Sequence, residues 1–474
     1  MHGFDAADWL AISPLAALTV GLLVLLVLDL APGTAILRVP VFLGSLIAAA
    51  GFELRILREQ PALVFDGTLA SGPTTALWGL VFLASLLVAW TAAQRFYREE
   101  RRFLVEHDVL MMSSVVGMML MAGAQNLLVF FVGLELLSVP LYALASFERS
   151  RSTSVEAGVK YFVLGAFAAA IFLYGAALIY AGTGTISLPR LREIGIGSPI
   201  ALLGTALVFG SLFFKVSVFP FHLWVPDVYQ GSPTPVTALM ATGTKAAGFA
   251  FLLEIAFLLP ARATGIVVAI ALLTMAAGNL GALVQNDLKR MLAWSGIAHA
   301  GTLLLAVAGS LAGDPHAGGA RTASIFYMAA YVVTAGGAFV LVAALEADTG
   351  EPVTLVSLRG LARRRPGAAA AMGAFMLSLG GIPLTGGFLG KYLVFAVAVR
   401  AGLVAAAVAG VLLSVVALGY YLRVVVAMYM QPEAETAGAS EAEPRRGLAL
   451  FAASACAAGV LLLGILPGWL LDRL

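Results

Sequence analysis

The chain has 474 residues, of which 61% are hydrophobic and only 11% charged, with a mean hydropathy of +0.97. Soluble domains carry about 25% charged residues, so this composition excludes a soluble fold and describes a chain embedded in a bilayer throughout. The net charge of +2 offers no basic field for nucleic acid, and the single cysteine, Cys456, excludes an intrachain disulfide and a cysteine-ligated metal or iron–sulfur centre.

Apolar runs of about 20 residues cross a bilayer as helices, and fourteen can be marked here. The first three cover 12–30, 39–57 and 74–94. Asp5 and Asp8 ahead of the first argue for a retained helix over a cleaved signal. Next come 108–124, 125–146 and 155–181, then 199–229, which Pro220 should break, and 234–259. The last six are 264–284, 288–311, 322–347, 367–400 (broken near Pro383), 403–430 and 448–471. The expected fold is an all-α polytopic membrane protein with 14 transmembrane helices. The insert 431–446 is acidic and reads as a cytoplasmic loop.

Numbering the loops alternately puts 15 Lys and Arg on one side, including Arg363, Arg364 and Arg365, against 8 on the other. The richer side is cytoplasmic, so both termini should face outward. Helices four to eight and nine to thirteen form two blocks of five, each with its fourth member interrupted, at Pro220 and at Pro383. Because five is odd, the blocks run in opposite directions, as inverted repeats do in ion-coupled transporters. The implied units are 1–106, 107–260, 261–430, the loop 431–446 and 447–474.

Four of the five lysines, Lys160, Lys215, Lys245 and Lys391, fall inside apolar helices, and Lys289 lies at a helix entrance. A lysine at the centre of a membrane helix costs roughly 2.5–3.5 kcal/mol on insertion scales. Buried lysine releases its proton readily whereas arginine does not, so lysine within the membrane and arginine in the loops suits a proton relay. The plainer alternative is a kinked helix with a snorkelling lysine. Glu135, mid-helix, is expected to pair with Lys215; otherwise it is a protonated carboxyl in a helix–helix hydrogen bond. Lys160 follows Glu156 by four residues, a spacing that serves local stability as well as function. Glu254 is expected at the outer interface. Pro220 should break the Lys215 helix within about one turn, and Pro383, ahead of Lys391, should free the Leu379 carbonyl in the counterpart break of the second block. His299, flanked by Ser295 and Thr302, is either a bridge between lysines or a structural histidine. His222, just past Pro220, is the candidate link from Lys215 to water on the inner side. The five histidines, His2 and His316 among them, show no metal-ligand spacing.

Three stretches, FKVSVFPFHLWVPDVYQGSPTPVTALMATGTKAAGF, QNDLKRMLAWSGIAHAG and GGIPLTGGFLGKYLVF, resemble the antiporter-like membrane subunits of respiratory complex I and are similar to Mrp-type cation/proton antiporters. The resemblance covers about residues 126–429. It implies a proton relay through Glu135, Lys215, Lys245 and Lys391. It also implies that the chain carries no cofactor, with NADH, FMN, iron–sulfur clusters and quinone handled by partner subunits. The implied setting is a bacterial inner membrane, beside an M-type antiporter-like subunit on one side and small K/J-type subunits on the other. With the fourteenth run followed only by residues to Leu474, the long lateral helix of one sibling type is not expected. A self-standing Na⁺(K⁺)/H⁺ antiporter is the alternative, and a passive scaffold a third, though a scaffold would not keep all four charges.

Overall fold

Prolines and glycines punctuate the chain, and helices fill the intervals. The computed structural model describes residues 5–30, 34–97, 104–313, 318–433 and 447–473. His2, His316 and the acidic insert beyond Glu433 lie outside the described residues.

Helix α1 (Ala6–Asp29) starts ahead of the expected 12 because Asp5 caps it, accepting the Asp8 backbone N–H at 2.9 Å. It is followed by α2 (Arg38–Ile56) and a short hairpin, β1 (Ala62–Val64) and β2 (Leu69–Ser71), which hydropathy does not foretell. Pro73 then opens α3 (Pro73–Phe96). Next are α4 (Leu104–Gly123), α5 (Leu127–Ala145), α6 (Ser152–Thr183) and the short α7 (Leu188–Ile194). The seventh expected run divides into α8 (Pro199–Lys215) and α9 (Trp224–Gly231). The eighth divides into α10 (Thr234–Leu239), a π turn at Met240–Thr244 and α11 (Lys245–Ile255). Helices α12 (Thr264–Leu283) and α13 (Leu288–Leu311) are continuous. A second π turn, Val332–Gly336, separates α14 (Gly319–Tyr331) from α15 (Gly337–Thr349). The short α16 (Leu361–Arg364) precedes α17 (Pro366–Gly380) and α18 (Gly386–Arg400), which flank the expected break at Pro383. The chain closes with α19 (Val404–Met430), α20 (Leu448–Ile465) and α21 (Gly468–Leu471). Among the described residues, 12 helical stretches are long and apolar enough to span a membrane.

Burial separates a centre from a rim. The stretch 234–253 is buried throughout and α13 nearly so, whereas α1, α2, α19 and α20 bury a third of their residues or fewer. The rim exposes Val, Leu and Phe, as lipid-facing helices do. Glycine lets the inner helices meet. A Cβ on Gly117 of α4 would lie 2.4 Å from the Leu137 nitrogen of α5, and one on Gly278 of α12 would lie 2.4 Å from the Ala298 nitrogen of α13.

One hydrogen-bond pattern occurs twice. Asn126 and Asp287 cap α5 and α13. Beside them, Leu127 N–H donates to the Ile186 carbonyl and Leu288 N–H to that of Val353, in isolated antiparallel bridges. The strands so paired follow α6 and α15, which end alike. Gly184 and Gly350 take left-handed backbone, while Thr183 and Thr349 each donate one turn back, to Ile179 and Leu345. The Asn126 clasp lies at the hairpin end of the bundle, where Gln125 N–H donates to the Thr68 carbonyl. The Asp287 clasp lies at the opposite end, where Lys289 donates to the Ser232 carbonyl.

Candidate functional site

Lys215 is the last residue of α8. Its ammonium donates to Ser138 Oγ of α5 at 2.7 Å and to the Tyr161 hydroxyl of α6 at 3.3 Å. The Tyr161 ring is stacked on Trp224 (centroids 4.7 Å apart), whose indole N–H donates to the Phe214 carbonyl at the end of α8, which also accepts Ser217 N–H. The helix therefore stops one turn before Pro220, and Ser217 takes left-handed backbone. Glu135 lies one turn from Ser138 on α5. Its Oε1 is buried without a hydrogen-bond partner, and no ion pair joins it to Lys215. Of the two forms expected for the pairing, direct or through one water, the direct contact is not made; the Lys215 ammonium rests on a serine and a tyrosine, two groups that accept a hydrogen bond without carrying charge.

Lys245 begins α11 directly after the π turn and donates to the Gly296 carbonyl of α13. A side chain on Gly296 would crowd this contact, because its Cβ would stand 3.0 Å from the Lys245 ammonium and 3.2 Å from the Tyr331 hydroxyl. One turn further along α13 is His299. Its Nδ1 meets the Tyr327 hydroxyl at 2.5 Å and its Nε2 the Tyr421 hydroxyl at 3.1 Å, and Tyr421 also meets Ser295 Oγ at 2.5 Å. A hydroxyl donates or accepts as its partner requires, so either imidazole tautomer is satisfied. Two voids of about 10 Å³ flank the ring, each room for about one water. One is shared with Tyr331 and Leu379, the other with Thr302 and Lys391.

Lys391, in the second turn of α18, donates to the Leu379 carbonyl at 2.8 Å and to the Gly380 carbonyl at 3.3 Å. These are the groups released by the interruption before Pro383. The amine thus rests on the broken end of α17, a partial negative charge.

The remaining two lysines lie near helix starts, one exposed and one buried. Lys160 is 41% exposed and joins Glu156 (2.7 Å) and Asp227 (3.1 Å), and Asp227 also binds Arg290 at 2.7 Å. This is a polar network at the opposite end from the hairpin, reached because α6 starts only two turns before Lys160. Lys289 stands at a helix entrance as expected, the second residue of α13, and there it is buried between the Ser232 carbonyl and Glu346. His222 packs between the rings of Phe219 and Trp294, with its Nδ1 lacking a hydrogen-bond partner. The residues not foreseen are Ser138, Tyr161, Tyr327, Tyr331 and Tyr421. Tyr327 and Tyr331, spaced by four on α14, were the available signal for a polar helix face.

The family described as NADH:quinone oxidoreductase/Mrp antiporter, TM, matches residues 124–417. The chain is 40% identical to NADH-quinone oxidoreductase subunit N of Myxococcus xanthus, over 99% of this chain and 97% of the relative. It is 42% identical to subunit N of Salinibacter ruber, over 90% and 87%. It is similar to a chain of respiratory complex I from Thermus thermophilus with bound aureothin (37% identity, TM-score 0.80, 97% and 98% covered). A chain of the Mrp complex from a Dietzia species shares the fold at TM-score 0.84 over 98% and 96%, with 24% identity.

Proposed function

The chain belongs to the NADH:quinone oxidoreductase/Mrp antiporter membrane family, and from that premise we propose that it is the N-type proton-translocating subunit of an NADH–quinone oxidoreductase. Redox chemistry belongs to partner subunits, and this chain moves protons. The observation that carries the reading is the run of buried groups from Lys245 through Tyr331, His299, Tyr327 and Tyr421 to Lys391, with water-sized voids beside His299. Each group in that run can hold or pass a proton.

The relay residues are Glu135, Lys215, Lys245 and Lys391. Glu135 lies on a partly exposed face of α5, beside Val132 and Val139, where a neighbouring subunit can reach it. A change in the charge or position of Glu135 alters the balance at Lys215 through Ser138, and the proton is then passed along the midplane row. Lys160 and Asp227 mark the cytoplasmic mouth. The M-type subunit and the small K/J-type subunits are the neighbours in a bacterial inner membrane.

The topology that goes with this function has fourteen crossings, counting the interrupted pairs α8–α9 and α17–α18 as one each. Residues 107–260 and 261–430 form inverted repeats, flanked by 1–106 and 447–474. The paired clasps at Asn126 and Asp287, on opposite ends of the bundle, support that symmetry, as do the glycine contacts of α4 with α5 and α12 with α13. The hairpin end faces outward, and both termini with it. A self-standing antiporter is disfavoured, because identity reaches 37–42% with subunit N and complex I chains and 24% with the Mrp chain.

Lys215→Arg tests the relay. A positioned proton-transfer group contributes about 10²–10⁴-fold, and arginine keeps the charge while holding its proton. In inverted vesicles containing the assembled complex, NADH-driven proton uptake should fall at least about tenfold. Lys391→Ala should behave alike. Full pumping by Lys215→Arg would leave Lys215 a structural cation and refute the reading.

A further inference from the structure

At the hairpin end, a cavity of about 270 Å³ opens between β1–β2, the start of α3 and the ends of α11 and α14. Three donors converge there on one carboxylate. Arg192 of α7 donates to Glu254 Oε1 and to the Glu254 carbonyl, and Arg321 of α14 donates to Oε2 at 2.7 Å. Gln125 donates to Oε1 at 3.2 Å. Two guanidiniums against one carboxylate leave a surplus positive charge. Each guanidinium has five N–H donors, and with 43% and 41% of these side chains exposed, donors remain for a ligand. The start of α3, at Gly72, Thr74 and Thr75, forms the same wall. Gly72 has no side chain to cap it, so the positive end of a 24-residue helix faces the cavity as well.

We propose that this cavity binds a phosphate oxyanion, carried either by an anionic lipid headgroup or by free phosphate. Planar guanidinium forks match phosphate oxygens two at a time. Glu254 holds the forks in place and, as a competing anion, limits the affinity. The cavity lies at helix ends, the level of lipid headgroups in a spanning bundle. Leu63 on its rim is 54% exposed, and Phe257, beneath the Arg192 guanidinium at 4.6 Å, is 37% exposed, so an acyl chain has an apolar surface to follow.

The test uses the intact membrane complex in phosphatidylcholine vesicles containing a photo-crosslinkable phosphatidylglycerol, with labelled peptides mapped by mass spectrometry. Label should appear on the segment 61–78 of this chain. The double variant Arg192→Gln, Arg321→Gln should lower it at least about tenfold, since each charge-assisted bond carries about that factor. Arg321→Lys, which keeps the charge and perturbs assembly less, should lower it severalfold. Glu254→Gln should retain or increase it. Displacement of the label by millimolar inorganic phosphate would identify free phosphate as the occupant, and persistence would identify the lipid; both support a phosphate site. Unchanged labelling in the arginine variants overturns the proposal. So does loss in Glu254→Gln as deep as in the double variant, which would make the cluster a structural tie.

Discussion

Replacing Gly387 by alanine probes how tightly the broken helix holds Lys391. Gly387 has helical backbone in the first turn of α18, so alanine adds no torsional strain. Its Cβ, however, would lie 2.1 Å from the Ser378 carbonyl oxygen and 2.8 Å from Ser378 Oγ. The nearest atom is backbone, so α17 and α18 must part by about 1.3 Å to restore ordinary contact at 3.4 Å. Such a shift takes the Lys391–Leu379 hydrogen bond from 2.8 Å beyond useful length, and it loosens Gly387 N–H from Ser378 Oγ, now 3.2 Å apart. Overpacking costs about 1–3 kcal/mol, and a stranded buried carbonyl costs about 1–3 kcal/mol more. Better helix propensity offsets at most about 1 kcal/mol. The net penalty of about 1–5 kcal/mol should appear as reduced complex on native gels and as depressed NADH-driven proton uptake per assembled complex. Gly367→Ala, with nothing within 4 Å of its Cβ, should be silent. Wild-type pumping by Gly387→Ala would show that Lys391 does not depend on its seat on α17.

Tyr421→Phe removes the hydroxyl shared by His299 and Ser295 and should lower proton uptake about tenfold or more. Tyr420→Phe, whose hydroxyl instead donates to Asn279, should be milder; equal effects would remove Tyr421 from the path. Cysteines placed at Gly3 and Gly438, in a chain lacking Cys456, should react with an impermeant maleimide from opposite sides of the membrane, and labelling from one side would overturn the fourteen-crossing topology.

The buried cations and the two breaks were legible because each is a local conflict in the chain: a charge within an apolar run, or a proline within a helix. The Leu379 carbonyl is the clearest instance, since loss of its helical partner follows from Pro383, and the structure gives it Lys391. What was not legible depends on distant neighbours. Ser138 holds Lys215 across 77 residues, and Asp227 draws Lys160 into a surface network across 67. No spacing rule within one helix reports such meetings. Hydropathy also set Lys160 inside the apolar core of its helix, because apolar content marks a helix and says little of where along it the surface falls. The π turns left no trace either, since an i→i+5 bond is selected by packing on neighbouring helices.

Those π turns have a mechanical consequence. A π turn accommodates one residue more than an α turn in nearly the same rise. Met240–Thr244 and Val332–Gly336 therefore each store a surplus residue at mid-bundle, and the first ends directly at Lys245. If the surplus moved along its helix, the residues it passed would turn by about 100°, the angle of one residue in a 3.6-residue turn. Such a turn would swing Lys245 off the Gly296 carbonyl while the helix ends stayed fixed, a rotary latch needing no change in the length of the helix.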